Sequence, residues 1–186
     1  MKTSRSSLTH RLIAQTTWQS PLGDLLLART PNGLAGAWFA GQKDHPRELA
    51  APSVDDDPVL QSAIDELSEY FNGRAVTFTQ ALDLHGTPFQ LAVWRALLLI
   101  DAGQTCSYAA IARAIGSPAA VRAVGSAIGK NPVSVIVPCH RVIGSGGALT
   151  GYAGGLDRKR ALLALEGRVS EPIHPVQSPA PLRAAA

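Results

Sequence analysis

The sequence is poor in cysteine. Two in 186 residues exclude a disulfide-dense secreted scaffold and a four-cysteine zinc module. No apolar run approaches the roughly 20 residues that a membrane helix needs. The start is basic, with Lys2 and Arg5, but only Leu12-Ile13-Ala14 follows as an apolar stretch. A secretory leader needs an apolar core of about 7–15 residues, so none is expected. The expected location is therefore a reducing cytoplasm, with each cysteine a free thiol. Charge is also sparse. With 17% charged and 46% hydrophobic residues, the chain can bury a core. The length suits one domain or two small ones, and no internal repeat is present.

The net charge of +3 is small but unevenly spread. Residues 1–85 carry seven basic and ten acidic groups, residues 86–166 eight basic and three acidic, and residues 167–186 two basic and one acidic. A basic second half behind an acidic first half fits a polyanionic partner such as nucleic acid.

Residues 1–12 are expected to fray. Pro21-Leu22-Gly23 and Pro31-Asn32-Gly33 punctuate apolar runs, so residues 13–40 predict a three-stranded antiparallel meander. A loop follows to residue 57. Asp57-Pro58 opens a helix to Phe71, with Leu60, Ile64, Leu67 and Phe71 along one face. Val76-Thr77-Phe78-Thr79 alternates and predicts a strand. The charge balance changes near His85, which divides an N-terminal α/β domain (13–85) from a second domain (86–167). The Pro-rich stretch 168–186 is expected to be a flexible tail.

The second domain reads as mostly helical. Thr87-Pro88 caps an almost wholly apolar helix over 89–100, buried on several faces. A short helix over 108–115 stops at Gly116. Ser117-Pro118 is expected to cap the next, which runs to Ile128. Two short helices joined by a Gly-containing turn fit a helix-turn-helix, or equally an ordinary helical hairpin. Val133 to Val137 predicts a buried extended run. A Gly-rich loop and a final helix over 156–166 complete the domain.

The helix over 119–128 is unusually smooth. Val121, Val124 and Ile128 can face the core, while Ala119, Ala120, Ala123, Ser126 and Ala127 are left for the surface. That surface lacks the side chains that read base edges in a major groove. It suits a backbone brought close to a minor groove about 6 Å wide, with Arg122 as a wedge where a base has left the stack. Close packing on another helix would use the same residues.

Cys139 lies in Pro138-Cys139-His140-Arg141, between the apolar run and the Gly-rich loop. A free thiol, with a pKa of about 8.5, is a weak nucleophile without a base or a positive charge nearby. His140 and Arg141 are candidates by proximity, and Glu166, closing the last helix, could orient His140. A buried, inert cysteine is the bland alternative. Cys106 has no such neighbours and reads as structural.

Three segments together, Ile136 to Ile143, Gly151 to Arg160 and Val121 to Gly125, resemble the O6-alkylguanine-DNA alkyltransferases. The likeness covers residues 13–167 and is strongest from 88 onward. It implies a ribonuclease H-like N-terminal domain, with a small antiparallel sheet plus helix. A mostly α, winged-helix-like domain with a helix-turn-helix would follow. It implies DNA repair in a single irreversible turnover. Cys139 would accept a methyl or other alkyl group from O6-methylguanine, or from O4-methylthymine, in a flipped nucleotide. His140, through a water and backed by Glu166, would take the thiol proton. Asn131 would brace the site, and Tyr108 would help turn the nucleotide out and protonate guanine. Main-chain groups of Cys139 and Val142, with Tyr152 and Ala153, would bind the base. Arg122, Ala120, Ala123 and Gly125 would meet the minor groove of double-stranded DNA. No cofactor and no metal are implied, and a monomer is expected. Some members have Pro in place of Ser134 and Ser in place of Ala153, both beside the pocket. A thiol hydrolase using Cys139 and His140, and a non-catalytic lesion binder, are the competing functions. The first predicts repeated turnover and the second survives loss of Cys139.

Overall fold

The structure is a computed structural model that describes residues 11–46, 48–74 and 77–167. Most of the two segments expected to be flexible, residues 1–10 and 168–186, lies outside the described residues. Leu12, at the edge of the first, is buried with Ala28, Ala35, Trp38 and Ala51.

The meander forms as its turns demand. Strands β1 (Ala14–Ser20), β2 (Gly23–Thr30) and β3 (Gly33–Phe39) pair antiparallel in the order β1-β2-β3. Ser20 pairs with Gly23 and Thr30 with Gly33, so each hairpin has a two-residue loop. Gly33 has a φ of 147°, and a Cβ there would lie 2.2 Å from the Ala81 carbonyl oxygen. Only glycine lets residues 81–83 run this close to β3, where Leu34 N–H donates to that carbonyl.

Leu25 and Leu27 of β2 point to the main core, against helix α1 (Pro58–Phe71). Asp57 caps α1 by accepting from the Val59 and Leu60 N–H groups, each at 3.1 Å. Arg29 of β2 holds that cap in place through a forked ion pair. The buried face of α1 is Leu60, Ala63, Leu67 and Tyr70, rotated from the expected one. Ile64 and Phe71 are only half-buried, so Tyr70 takes the inward place expected for Phe71.

The strand expected at 76–79 is absent over its described residues, 77–79. The chain there runs along α1 and bonds Glu66 through Thr79. It meets β3 only at a single Leu34–Leu82 bridge. The same edge of β3 is taken by residues 132–134, through Ala37 N–H to Pro132 and Ser134 N–H to Ala37. The sheet edge is thus closed by the segment that leads to Cys139.

Helix α2 (Pro88–Leu97) opens with a reciprocal cap between Thr87 and Gln90. It ends earlier than expected, and Leu98 and Leu99 are exposed rather than buried. Trp94 is the centre of this half, and its indole N–H donates to the Ala127 carbonyl. The two-residue strands β4 (Cys106–Ser107) and β5 (Val142–Ile143) pair in parallel.

Helices α3 (Tyr108–Ala114) and α4 (Val121–Ile128) form the helix-turn-helix pair. Ser107 caps α3. Ser117 does not cap α4, because residues 117–120 close a turn of their own, Ala120 N–H to Ser117. Helix α4 therefore begins without a side-chain cap. Its buried face includes Ala127, against the surface position expected for it. Helix α5 (Leu156–Gly167) closes the described chain.

Candidate active site

The cysteine is presented by a tight turn rather than by the extended run expected at 133–137. Val137 N–H donates to Val133, and Val135 has a φ of 71°. A β-branched residue in the left-handed region costs on the order of 1–3 kcal/mol. Burial of Val133, Val135 and Val137 and the bonds of Asn131 hold it there. Asn131 is buried, and its Oδ1 accepts from the Val133 N–H. Its Nδ2 donates to the Val137 carbonyl at 2.8 Å and to Cys139 Sγ at 3.1 Å.

Cys139 and His140 start a single 3-10 turn ending at Arg141. Burial pushes the Cys139 thiol up to about 11, against the opposing pull of the Asn131 hydrogen bond and the Lys159 charge. The resting sulfur is therefore protonated and needs a base. His140 is wholly buried, and that burial lowers its pKa, so the ring is neutral at rest. Its Nε2 is 2.8 Å from Glu166 Oε1. A carboxylate only accepts, so the proton is on Nε2 and Nδ1 keeps its lone pair. That Nδ1 is buried and has no hydrogen-bond partner.

Glu166 is held far below the carboxylate range, at about 2, although burial opposes ionisation. The hydrogen bonds from His140 and Arg141 and the charge of Arg141 outweigh that burial. Arg141 reaches Glu166 through Nε and Nη2 and donates Nη1 to the Ile100 carbonyl. Arg141 is thus engaged by Glu166, and sequence proximity to Cys139 was a poor guide to its partner. Tyr70 donates to the same Oε1 at 2.8 Å.

Lys159 was missed by sequence reasoning. Its ammonium is buried and donates to the Val142 and Thr150 carbonyls at 2.6 and 2.8 Å. The signal was available, since Lys159, Leu162 and Glu166 recur along one helical face and all three are buried.

A cavity of about 510 Å³ opens between α4, the Gly-rich loop and the turn after β3. Tyr108, Gly125, Ser126, Gly151, Tyr152 and Ala153 line it, and so do Lys43 and Asp44, which sequence reasoning did not single out. Cys139 and Val142 are not among its lining residues. Tyr152 connects the two regions. Its hydroxyl is buried, and burial first, then a thiolate on Cys139, would raise its pKa. Tyr108 packs its ring over Gly125 and donates to the Thr150 and Gly151 carbonyls. The Ala153 carbonyl accepts from the Lys43 N–H, which pins the turn after β3 to the loop. Arg158 adds a second strap, stacking 4.7 Å over the Phe39 ring and donating to the Leu22 and Gly154 carbonyls.

Arg122 and Ala123 are exposed on α4, Ala120 is half-buried at its start and Gly125 half-buried beneath Tyr108. The DNA-facing residues inferred from sequence thus share one surface element, apart from the Cys139–His140–Glu166 cluster. Cys106 is half-buried, and burial pushes its thiol up to about 11 with no group opposing. Among the described residues no group of three or more His, Cys, Asp or Glu could hold a metal ion, and no helix is long and apolar enough to cross a membrane.

Fold and site together define a class: a helix-turn-helix protein built around a buried thiol that has its own histidine–carboxylate pair. Residues 13–84 match the family domain described as the ribonuclease-like domain of 6-O-methylguanine DNA methyltransferase, and residues 88–168 match its DNA binding domain. A methylated-DNA–protein-cysteine methyltransferase of Mycobacterium tuberculosis is 49% identical over 83% of this chain and 93% of its own length. The inducible one of Bacillus subtilis is 43% identical over 91% of this chain and 96% of its own. The crystal structure of Mycobacterium tuberculosis OGT in complex with DNA superposes with a TM-score of 0.77, at 46% identity over 85% of this chain and 95% of that one. The chain belongs to the 6-O-methylguanine DNA methyltransferase family, with a ribonuclease-like N-terminal domain and a helical DNA-binding domain after it.

Proposed function

We propose that the protein repairs DNA by moving an alkyl group from O6 of guanine, and from O4 of thymine, to Cys139. One observation carries this reading. A buried thiol hydrogen-bonded by Asn131 is followed in the chain by a histidine whose Nε2 is anchored on Glu166 and whose buried Nδ1 has no hydrogen-bond partner. The thiol proton passes through a bridging water to Nδ1. The sulfur attacks the alkyl carbon, an S–C bond forms as the C–O6 bond breaks, and the electron pair leaves on guanine. Tyr108 supplies the proton that guanine takes up, and the proton on His140 replaces it by way of solvent. The product is a thioether, so each molecule acts once, and no cofactor is needed because the acceptor is part of the chain.

The target atom is hidden in a stacked pair, so the nucleotide must be flipped into the cavity beside Tyr152 and Ala153. The Val142 carbonyl already accepts from Lys159 and has a second lone pair for the guanine amine. Exposed Arg122 would fill the gap in the stack, while Ala120, Ala123 and Gly125 let α4 approach the minor groove closely. The uncapped start of α4 leaves N–H groups for a phosphate. Residues 13–85 would support this unit and residues 86–167 carry it. One chain supplies every catalytic group, so a monomer in a reducing cytoplasm suffices. Methyl release from a labelled duplex should stop at one equivalent per protein and vanish in Cys139→Ser. Continued turnover would refute the reading. Duplex affinity should fall steeply with salt, through counterion release.

A further inference from the structure

We propose that Tyr70, from helix α1 of the N-terminal half, is a positioning residue of the transfer reaction, its hydroxyl fixing the carboxylate that orients His140. The proposal rests on the reading of Cys139, His140 and Glu166 given above. Tyr70 is only 5% exposed and its hydroxyl donates to Glu166 Oε1 at 2.8 Å, across 96 residues of chain. The same oxygen accepts from His140 Nε2 and from Arg141 Nη2. Three side chains converging on one oxygen leave the carboxylate little freedom to rotate. Arg141 supplies charge and is itself held by the Ile100 carbonyl. Tyr70 is neutral and approaches from another element, so its contribution is direction.

The phenol is held rigidly. Its ring meets Phe71 edge-on at 5.4 Å and Phe78 at 5.8 Å, and α1 is anchored at its start by Asp57 and Arg29. A hydroxyl so placed resists any turn of Glu166 that would swing the imidazole away from the thiol. The N-terminal half would thereby take part in the chemistry as well as in support.

Tyr70→Phe keeps the ring and removes only the hydroxyl. With protein in excess over methylated duplex, the limiting rate constant should fall on the order of 10-fold, the scale of one lost hydrogen bond to a charged group. The half-saturating protein concentration should not change, because Tyr70 belongs to α1 and does not line the cavity. In a Glu166→Gln background the same substitution should cost less than 2-fold, since Tyr70 would act through the carboxylate. An unchanged rate, or equal losses in both backgrounds, would overturn the proposal. Peptide mapping of wild-type adducts in the same experiment separates the two ideas. A methyl elsewhere than Cys139 would sink the underlying reading. A methyl on Cys139 with additive losses would sink only the role of Tyr70.

Discussion

Replacing Glu166 by Gln tests the buried charge cluster behind His140. The carboxylate is 2% exposed and shares its oxygens among Tyr70, His140 and Arg141. Removing its charge leaves Arg141 buried without a counter-ion, a loss of about 3–5 kcal/mol at pH 7. That cost should depend on pH. The Glu166 pKa is about 2 in the folded chain, against an ordinary 4.5. A depressed pKa adds stability above the unfolded value and loses it as pH falls through the folded one. The difference is worth about 3 kcal/mol. Urea denaturation of wild type and Glu166→Gln should therefore show the full gap from pH 7 to about pH 5. The gap should then narrow by about 3 kcal/mol towards pH 2. Other acids, such as Asp57 and Asp83, are depressed too, but they titrate in both proteins and cancel. A gap that stays constant from pH 7 to pH 2 would show that the Glu166 charge does not hold this cluster together.

Arg122→Ala should slow repair of duplex DNA at least 10-fold more than reaction with a free O6-substituted guanine, because its proposed role is in the stack; equal losses in parallel rate assays would remove it. Native Cys139, with its thiol pushed up to about 11, should react with iodoacetamide at a rate still rising above pH 9. A plateau below pH 8, followed by peptide mass, would contradict a protonated resting thiol. Gly33→Ala should lower the unfolding free energy by more than about 2 kcal/mol, since the new Cβ meets the Ala81 carbonyl; a melting curve within a degree of wild type would contradict that packing.

Features set by local chemistry were legible in the sequence. The meander follows from Pro-Leu-Gly and Pro-Asn-Gly, and α1 from Asp57-Pro58, because turn and cap residues act over two or three positions. The cysteine loop was legible by its resemblance. What escaped depends on partners distant in sequence. The alternation at 76–79 has strand character, but β3 receives its neighbours at Leu82 and Val133 instead. Val133 to Val137 is apolar enough for a strand, yet Asn131 closes it into a turn through a side chain that periodicity does not register. Helix α1 turns Tyr70 rather than Phe71 inward, where its hydroxyl meets Glu166, a partner 96 residues away. Lys159 lies in the basic run Arg158-Lys159-Arg160, and its burial depends on the Val142 and Thr150 carbonyls, which no local pattern brings to it.

The central claim is that Cys139, backed by His140 and Glu166, is the alkyl acceptor. Incubating the full chain with duplex DNA containing O6-methylguanine and mapping the adduct by peptide mass tests it most directly. One methyl on the peptide that carries Cys139, at one equivalent per protein, is the predicted result. A methyl on Cys106, or DNA repaired with both cysteines unmodified, would contradict it.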